Sequence, residues 1–184
     1  MIDWTKQTLK EVLKSEKKHY VKSNKELILR SFMCAERVQI WKFQKALRKA
    51  EYYKHRKGLF AKFKLVCNLR KKNIYGNKLG LSIHCDCFDV GLYICHFGNI
   101  IVNGNARIGK NCILHGNNCI GNSHNSNLNV PAIGDNVELG WGAACYGKIR
   151  ISSSVILGAH CVVVKDILET NSVWIGNPQR KISG

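Results

Sequence analysis

The stretch VNGNARIGKNCILHGNNCIGN, residues 102–122, places an aliphatic side chain at every sixth position. A spacing of six matches neither the 3.6-residue period of an α-helix nor the two-residue alternation of a plain strand. It predicts a short strand followed by a bend, repeated along the chain, with each aliphatic side chain pointing inward. The aliphatic positions are Val102, Ile108, Leu114 and Ile120.

The six-residue period resumes after a break and continues almost to the end of the chain. A small or apolar residue usually follows each aliphatic position by four residues, and a glycine often follows it directly, as in Leu157-Gly158. A fixed repeat of this kind is typical of a β-helix. No single unit of such a fold buries its own apolar face, and the stacking of successive coils buries it instead. The second series consists of Ile133, Leu139, Cys145, Ile151, Leu157 and Val163.

Residues 79–184 resemble the left-handed parallel β-helix of the hexapeptide acyltransferases. The resemblance rests on LYICHFGNIIVNGNARIGKNC at 92–112, IGDNVELGWGA at 133–143 and VWIGNPQRKI at 173–182. It is greatest toward the serine acetyltransferase branch and the bacterial surface-polysaccharide O-acetyltransferases related to it. It implies three six-residue units in each coil, so that residues eighteen apart stack. The left-handed sense also comes from the resemblance, because ordinary parallel crossovers are right-handed.

Residues 1–78 are predicted to form a basic α-helical region that precedes the β-helix. Residues 1–80 hold 22 Lys and Arg against 6 Asp and Glu, a net charge of +16, whereas residues 81–184 hold 7 against 6, a net charge of +1. Residues 25–57 are rich in helix formers and contain neither Pro nor Gly. We expect the helices to cover the open end of the first coil, which would otherwise expose its core and backbone edges.

The basic region interleaves aromatic residues with its lysines and arginines, a pattern that suits anionic lipid headgroups. Nucleic acid would attract the same charge. No nucleic-acid-reading motif is present, so no nucleic-acid partner is predicted. The 9 cysteines follow no regular pairing pattern, which predicts a reduced, cytoplasmic protein. Peripheral contact with the inner face of the cell membrane and a simple solvated surface remain as alternatives for the basic region.

His96, in YICHFGNIIVNG, is the candidate catalytic base. Acetyl transfer to a hydroxyl needs a base for the hydroxyl proton, and histidine suits this task because its pKa lies near the working pH. In the resembling family the catalytic histidine ends an early coil and is followed by a small residue and an aliphatic pair, as His96 is. His115, in ILHGNNCIG, is the second candidate, since it follows the inward Leu114 and should point outward.

The carboxylate that orients His96 is expected to be Asp86 or Asp89. Family members place an acid about one coil before the histidine, but the corresponding position here is near Ser82, and these two aspartates are the nearby acids. Turn capping is the alternative role for both. The same segment, HCDCFDVGLYICH, contains metal-ligand types, but Cys85-x-Cys87 is tighter than the spacing of zinc sites, so no metal site is predicted.

The resemblance also implies a site for acetyl-CoA as co-substrate, in the groove between adjacent β-helices. The matching small residues are Ala143 and Ala159, while Lys165 and Arg180 are candidates for contacts with phosphates. Trp141 departs from the family, where a small residue is more usual, and either narrows the groove or stacks on the ligand. Core packing is the alternative role for the alanines, and an exposed turn for Lys165.

Residues 122–132, NSHNSNLNVPA, interrupt the six-residue phase and are predicted to form an excluded loop. Polar loops that leave a rigid scaffold commonly carry function. In the resembling family this loop reaches over the active site of a neighbouring subunit. The resemblance therefore implies a homotrimer with sites at the subunit interfaces.

The predicted acceptor is a sugar hydroxyl of a bacterial surface polysaccharide, on a lipid-linked, often anionic glycan. Serine enzymes of the family place an acid before the catalytic histidine and an Arg-His pair in the loop, whereas Cys95, Asn129 and Val130 occupy these positions here. Burying both charges of free serine without partners would be costly. Serine O-acetylation in cysteine biosynthesis is the alternative. A β-helix that has lost catalysis and serves as a scaffold is a third hypothesis, which coenzyme A binding would separate from the other two.

Overall fold

The computed structural model describes residues 2–123 and 126–184. Residues 124 and 125, which belong to the predicted excluded loop, lie outside this description. Four helices come first and a β-helix of three sheets follows. The helices are Lys6–Lys17 (α1), Asn24–Phe32 (α2), Glu36–Lys54 (α3) and Leu59–Leu79 (α4).

Local sequence signals explain where several helices begin and end. The Thr5 side chain caps α1 by accepting a hydrogen bond from the Thr8 N–H at 2.9 Å, and Ser23 caps α2 through the Glu26 N–H at 3.1 Å. Helix α4 ends at Gly80, whose φ of 72° is a left-handed conformation that glycine adopts without strain. Among the described residues, no helix combines the length and the apolar composition that crossing a bilayer requires.

The strands that follow stack into three sheets of mainly parallel pairs, one along each side of a triangular coil. The first sheet holds Leu81–Ile83 (β1), Ile100–Val102 (β3), Cys119–Gly121 (β6), Ala144–Tyr146 (β9) and Val162–Val163 (β12). The second holds Arg107–Ile108 (β4), Ala132–Ile133 (β7) and Arg150–Ile151 (β10). The third holds Tyr93–Ile94 (β2), Ile113–Leu114 (β5), Glu138–Leu139 (β8), Ile156–Leu157 (β11), Val173–Ile175 (β13) and Arg180–Ser183 (β14).

The aliphatic residues of the six-residue repeat form the core of the coils. The stacks that the resemblance implies for residues eighteen apart are present: Val102 pairs with Ile120, Ile133 with Ile151, and Leu139 with Leu157, all of them buried. The fold class, a mainly β protein with a parallel β-helix after basic helices, is therefore as predicted.

Asn118 breaks the apolar pattern and is nevertheless fully buried. Its side-chain amide donates to the main-chain oxygens of Gly140 at 2.8 Å and Ala143 at 3.2 Å, and its side-chain oxygen accepts from the Gly116 N–H at 3.0 Å. A buried amide is tolerated when its hydrogen bonds are made inside the protein. Asn118 therefore joins two neighbouring coils where an aliphatic side chain would only fill space.

The helices cover the open end of the first coil through a buried arginine. Arg48 is fully buried and forms ion pairs with Glu16 at 2.7 Å and Glu51 at 3.0 Å. Its guanidinium also donates to the main-chain oxygens of Phe88 at 2.9 Å and Asp89 at 2.6 Å. Burial opposes its charge, but the two carboxylates outweigh that effect and raise the pKa of Arg48 above its ordinary value. Arg48 thus satisfies carbonyl groups that the end of the β-helix would otherwise leave unpaired.

A second set of buried hydrogen bonds extends this cover along the first coil. Gln44 donates to the main-chain oxygen of Leu92 at 2.7 Å and accepts from the Tyr20 hydroxyl, also at 2.7 Å. The Tyr20 oxygen in turn accepts from the Ile94 N–H at 3.0 Å. The expected role of the helical region as a cap is therefore met by side chains from both α1 and α3 and from the segment that follows α1.

Candidate active site

One corner of the β-helix, between the third and the first sheet, carries most of the predicted site residues. His96, Gly116, Trp141 and Ala159 each lie two residues after the inward residue of a strand of the third sheet. Since β2, β5, β8 and β11 are paired in register, these four residues stack along the corner in that order. The repeat therefore brings together residues that are far apart in sequence.

His96 receives its carboxylate partner from the helical region. Its Nδ1 lies 3.2 Å from Oε1 of Glu36, in the first turn of α3, and the same oxygen accepts from the Phe97 N–H at 3.1 Å. The N-terminus of a helix favours a negative charge, which suits Glu36 to this position. When Nδ1–H donates to Glu36, Nε2 is left with a free lone pair. The His96 side chain is 60% exposed, so an acceptor from solution can reach it.

Asp86 and Asp89, the predicted partners of His96, make other contacts. Asp86 forms ion pairs with Lys54 at 2.6 Å and His55 at 3.0 Å, at the end of α3. Asp89 accepts from the Val90 N–H at 2.8 Å, as a turn-capping aspartate does. The structure thus differs from the prediction, because both aspartates belong to the junction between the helices and the first coil.

His115 forms a second histidine–carboxylate pair on the third sheet. Its Nε2 lies 2.7 Å from Oε1 of Glu138, and both side chains are about one third exposed. Cys95 pairs through its main-chain N–H with Leu114, so it lies beside His115 on the same face. Burial raises the pKa of the Cys95 thiol, and the negative charge of Glu138 adds to the shift. Cys95 is therefore a neutral thiol between two histidine–carboxylate pairs.

Trp141 lies flat against the corner because two neighbouring residues are glycines. A Cβ at Gly116 would come within 2.3 Å of the Trp141 ring, and one at Gly98 would lie 3.6 Å from it. The ring therefore extends along the backbone from its own coil toward the coil of His96. Its side chain remains 40% exposed, so it presents an aromatic surface to solvent between His96 and Ala159.

The remaining candidates for acetyl-CoA contacts divide into buried and exposed residues. Ala143 is fully buried and faces the core, so its side chain cannot touch a ligand, which corrects that prediction in favour of core packing. Ala159, Lys165 and Arg180 are exposed near the C-terminal coils. Arg180 starts β14, which runs antiparallel to β13, and this strand places it beside Ile175.

The described part of the excluded loop folds back on itself. The Ser123 N–H donates to the main-chain oxygen of Asn129 at 3.2 Å, and the Asn105 side chain donates to that of Asn127 at 2.9 Å. Leu128 is 74% exposed at the turn. The loop is therefore closed at its base, tied to the preceding coil through Asn105, and presents an apolar side chain outward.

A concave surface of about 480 Å³ lies on the second sheet, and none of the candidate histidines lines it. Arg107 and Arg150 flank Ala132 there, because β4 and β10 both pair with β7. Its lining contains two aspartates, Asp86 and Asp89, but neither histidine–carboxylate pair. Chemistry rather than volume therefore selects the corner as the candidate active site.

Glu36 and Glu138 are site residues that the sequence does not predict. Glu36 lies 60 residues before His96 and in another region of the chain, so no spacing connects them. Glu138 left a weak signal, because it is a charged residue at an outward position of β8 where the repeat permits any side chain. Glu138 is an acidic residue at an outward position of the repeat, about one coil away from a histidine. That pattern would have identified it from the sequence.

Several curated relatives of the chain are serine acetyltransferases. The chain is 31% identical over 105 residues to the enzyme of Synechococcus elongatus, which covers 56% of this chain and 43% of that protein. It is 33% identical over 95 residues to serine acetyltransferase 3, mitochondrial, of Arabidopsis thaliana, covering 51% and 24%. For the Helicobacter pylori enzyme the match is 31% over 106 residues, covering 56% and 61%. The matched segments thus span less than two thirds of these relatives, and no family model matches the chain.

Solved structures of serine acetyltransferases share the fold over nearly the whole chain. The soybean apoenzyme has a TM-score of 0.73 at 21% identity and covers 95% of this chain and 69% of its own. The Neisseria gonorrhoeae enzyme has a TM-score of 0.70 at 21% identity, covering 97% and 68%. The predicted resemblance to left-handed β-helix acyltransferases of the serine acetyltransferase branch is confirmed.

The prediction of a sugar hydroxyl as acceptor is wrong. The curated relatives are named serine acetyltransferases, which favours the alternative acceptor. The prediction relied on the groups lost at Cys95, Asn129 and Val130, and it assumed that no other residue supplies such charges. The carboxylates of Glu36 and Glu138 show that acidic groups reach this face from other elements.

Proposed function

We propose that the chain is an acetyl-CoA-dependent O-acetyltransferase that acetylates the hydroxyl of serine, as in cysteine biosynthesis. The observation that carries the proposal is His96, an exposed imidazole with a carboxylate on Nδ1, at the corner of a β-helix similar in sequence to serine acetyltransferases. Exposure admits the acceptor, and the Glu36 carboxylate leaves Nε2 as the base.

In the proposed reaction His96 removes the proton from the serine hydroxyl as its oxygen attacks the thioester carbonyl of acetyl-CoA. The bond between the carbonyl carbon and sulfur then breaks, and the thiolate of coenzyme A takes the proton back from His96. Glu36 stabilises the imidazolium that forms between the two steps. A positioned general base of this kind contributes about 10²- to 10⁴-fold to the rate.

Acetyl-CoA would lie along the corner, with its thioester near His96 and its nucleotide toward the C-terminal coils. Trp141 and Ala159 form the exposed surface for its pantetheine arm, and Trp141 replaces the small residue expected there. Lys165 and Arg180 supply positive charge for its phosphates.

A homotrimer would complete this groove, since the exposed corner alone does not exclude water. The outward row of the first sheet is suited to subunit contact because it is small and apolar. Ile101 in this row is 52% exposed, and Cys119 and Ala144 follow it in register. Sites between subunits would also bring the excluded loop of one chain near the corner of another.

Serine's charges would be paired by residues of the helical region and of β8. Glu138 is the candidate for its ammonium group. Arg37, which acts electrostatically on Tyr93 and Cys95, is the candidate for its carboxylate. These residues would take the roles of the acid and the Arg-His pair that the sequence lacks.

The test is release of free thiol from acetyl-CoA by the purified chain in the presence of L-serine. A kcat/KM of about 10⁴ M⁻¹s⁻¹ or more is expected, the lower end of the usual enzyme range. Glycine, which lacks the hydroxyl, is the matched control and should give only background hydrolysis. Coenzyme A binding without O-acetylserine formation would overturn the serine acceptor, and absence of binding at millimolar concentration would favour a scaffold.

A further inference from the structure

Helix α4 carries a row of exposed apolar side chains that no other part of the described chain covers. Leu59, Phe63 and Val66 recur at spacings of four and three on its outer face, and Phe60 borders this row. Ile74 continues the same face after the exposed Arg70. These apolar side chains are between 55% and 85% exposed. Single exposed apolar residues are ordinary, but a contiguous row marks an interaction surface.

A groove of lysines runs along one edge of this row. Lys42, Lys45 and Lys49, at spacings of three and four on α3, face Lys71 and Tyr75 on α4 across a cavity of about 190 Å³. None of the salt bridges between described residues involves these lysines. Burial and the positive charges of Lys45, Lys71 and Lys64 lower the pKa of Lys49. The groove therefore gathers positive charge that is paired with no carboxylate in the described part of the chain.

The apolar row and the lysine groove are continuous. The Nζ atom of Lys64 lies 5.2 Å from the centre of the Phe60 ring, and Lys64 also acts electrostatically on Lys49 in the groove. An apolar surface bordered by lysines is the arrangement that lies in the headgroup region of an anionic bilayer. A second copy of this surface would meet it with like charge, because residues 1–80 carry a net charge of +16.

We propose that this surface, the apolar row of α4 with the adjoining lysine groove, docks on an anionic phospholipid membrane. The apolar row enters the boundary between headgroups and acyl chains, and the lysines bind lipid phosphates. Docking concerns the helical region alone, so it stands or falls independently of the acceptor proposed for the corner site.

Sedimentation with vesicles tests the proposal directly. The full chain is mixed with phosphatidylcholine vesicles or with vesicles that also contain phosphatidylglycerol, at low and at high salt. Binding is expected only to the anionic vesicles and is expected to weaken as salt rises. Equal recovery in the supernatant under all conditions would overturn the proposal.

Two variants locate the surface. Lys45→Gln/Lys49→Gln/Lys71→Gln should weaken vesicle binding about a hundredfold, since each basic residue near the membrane contributes about fivefold. Phe60→Ser/Phe63→Ser should weaken it at least about tenfold, because apolar burial is lost. The matched controls are Lys6→Gln/Lys10→Gln/Lys14→Gln, with the same change of charge on α1, and Leu168→Ser, an exposed apolar residue of the β-helix.

Controls and variants are compared after thermal unfolding shows that each is folded. If the α1 control loses as much binding as the groove variant, charge alone is responsible and the proposed site is wrong. If Phe60→Ser/Phe63→Ser changes the mass measured by light scattering but not vesicle binding, a second copy covers the row. If millimolar pyrophosphate binds the groove while no vesicle does, the ligand is a soluble phosphate. Each of these results overturns membrane docking.

Discussion

The β-helix and the helical region differ in charge, in sequence pattern and in what they contribute to the site. The β-helix has a net charge of +1 and repeats one apolar position every six residues, whereas the helical region has a net charge of +16 and no repeat. The stacking of repeated coils places His96, Trp141 and Ala159 on one corner. The helical region supplies what repetition cannot, namely an end for the stack and the Glu36 carboxylate for His96.

The two regions also bury different chemistry. The interior of the coils is apolar apart from residues such as Asn118, and each coil is stabilised by the next. The contact between the helices and the first coil instead buries Arg48 between two carboxylates. Removing one member of a buried ion network leaves the others charged and unpaired, which is strongly destabilising.

Replacing Arg48 should therefore have the largest effect, and it should lower the stability of the folded chain. Arg48→Met leaves Glu16 and Glu51 buried without their partner, and we expect a loss of about 3–5 kcal/mol in the free energy of unfolding. Urea unfolding measures this loss. Arg150→Met, at an exposed arginine of β10, is the control and should change stability by less than about 0.5 kcal/mol.

A triple variant separates the buried charges from simple loss of packing. Glu16→Gln/Arg48→Met/Glu51→Gln removes all three charges together and should regain much of the lost stability. If the triple variant is as unstable as Arg48→Met, lost packing and the unpaired carbonyls of Phe88 and Asp89, and not unpaired charge, account for the effect.

The next largest effect should come from the β-helix side of the site. His96→Ala is expected to lower acetyl transfer to serine at least about 10²-fold while leaving the unfolding transition unchanged, because only the base is lost. His115→Ala is the matched control, with its own carboxylate on the same sheet. Intact activity in His96→Ala together with loss in His115→Ala would show that the Glu138 pair is the catalytic one.

The helical contribution to the site should be smaller than that of His96. Glu36→Gln keeps an oxygen that can accept from the Phe97 N–H and loses only the charge beside His96. We expect kcat to fall about tenfold, since a charge-assisted hydrogen bond in an exposed site is partly screened. The KM for acetyl-CoA should not change, and Glu26→Gln on α2 should have no effect. A variant with wild-type kcat would show that the helices cap the coil without assisting catalysis.

The sequence predicts the β-helix well because every coil repeats the same short pattern of apolar and small residues. The stacks of Val102 on Ile120 and Leu139 on Leu157 follow from the six-residue spacing together with the three-unit coil that the resemblance implies. The boundary near residue 79 follows from the change of composition. The resemblance of the segment around His96 to the family selects it among seven histidines. Its exposed position at a corner agrees with that choice.

The helical half of the site is not predictable in this way. Glu36 meets His96 only because α3 packs on the first coil, and tertiary packing of this kind leaves no periodic trace. The prediction that Asp86 or Asp89 fills the role used proximity in sequence in place of proximity in space. The choice of a sugar acceptor had the same origin, since it assumed that serine's partners must occupy the family's positions.

The smallest expected effect is at Asp86, which lies where the two regions are joined. Burial acts to raise its pKa, but hydrogen bonds and positive charge from Lys54 and His55 outweigh burial and hold the pKa of Asp86 below its ordinary value. Because the folded-state pKa lies below the unfolded one, this contribution is fully present above about pH 4 and is lost as the pH falls through the folded-state pKa. Asn suits the test because it tolerates the positive φ of 65° at this position.

Asp86→Asn should therefore lower the free energy of unfolding at pH 7 by at most about 1 kcal/mol, as for an ion pair near the surface. The difference between variant and wild type should shrink as the pH is lowered below about 4, because Asp86 is then protonated in the wild type too. Urea unfolding of both proteins at pH 7 and at successively lower pH gives the comparison. A difference that stays constant with pH would mean that the shape of the side chain, and not its charge, joins α3 to the first coil. A loss near that of Arg48→Met would place Asp86 within the buried network itself.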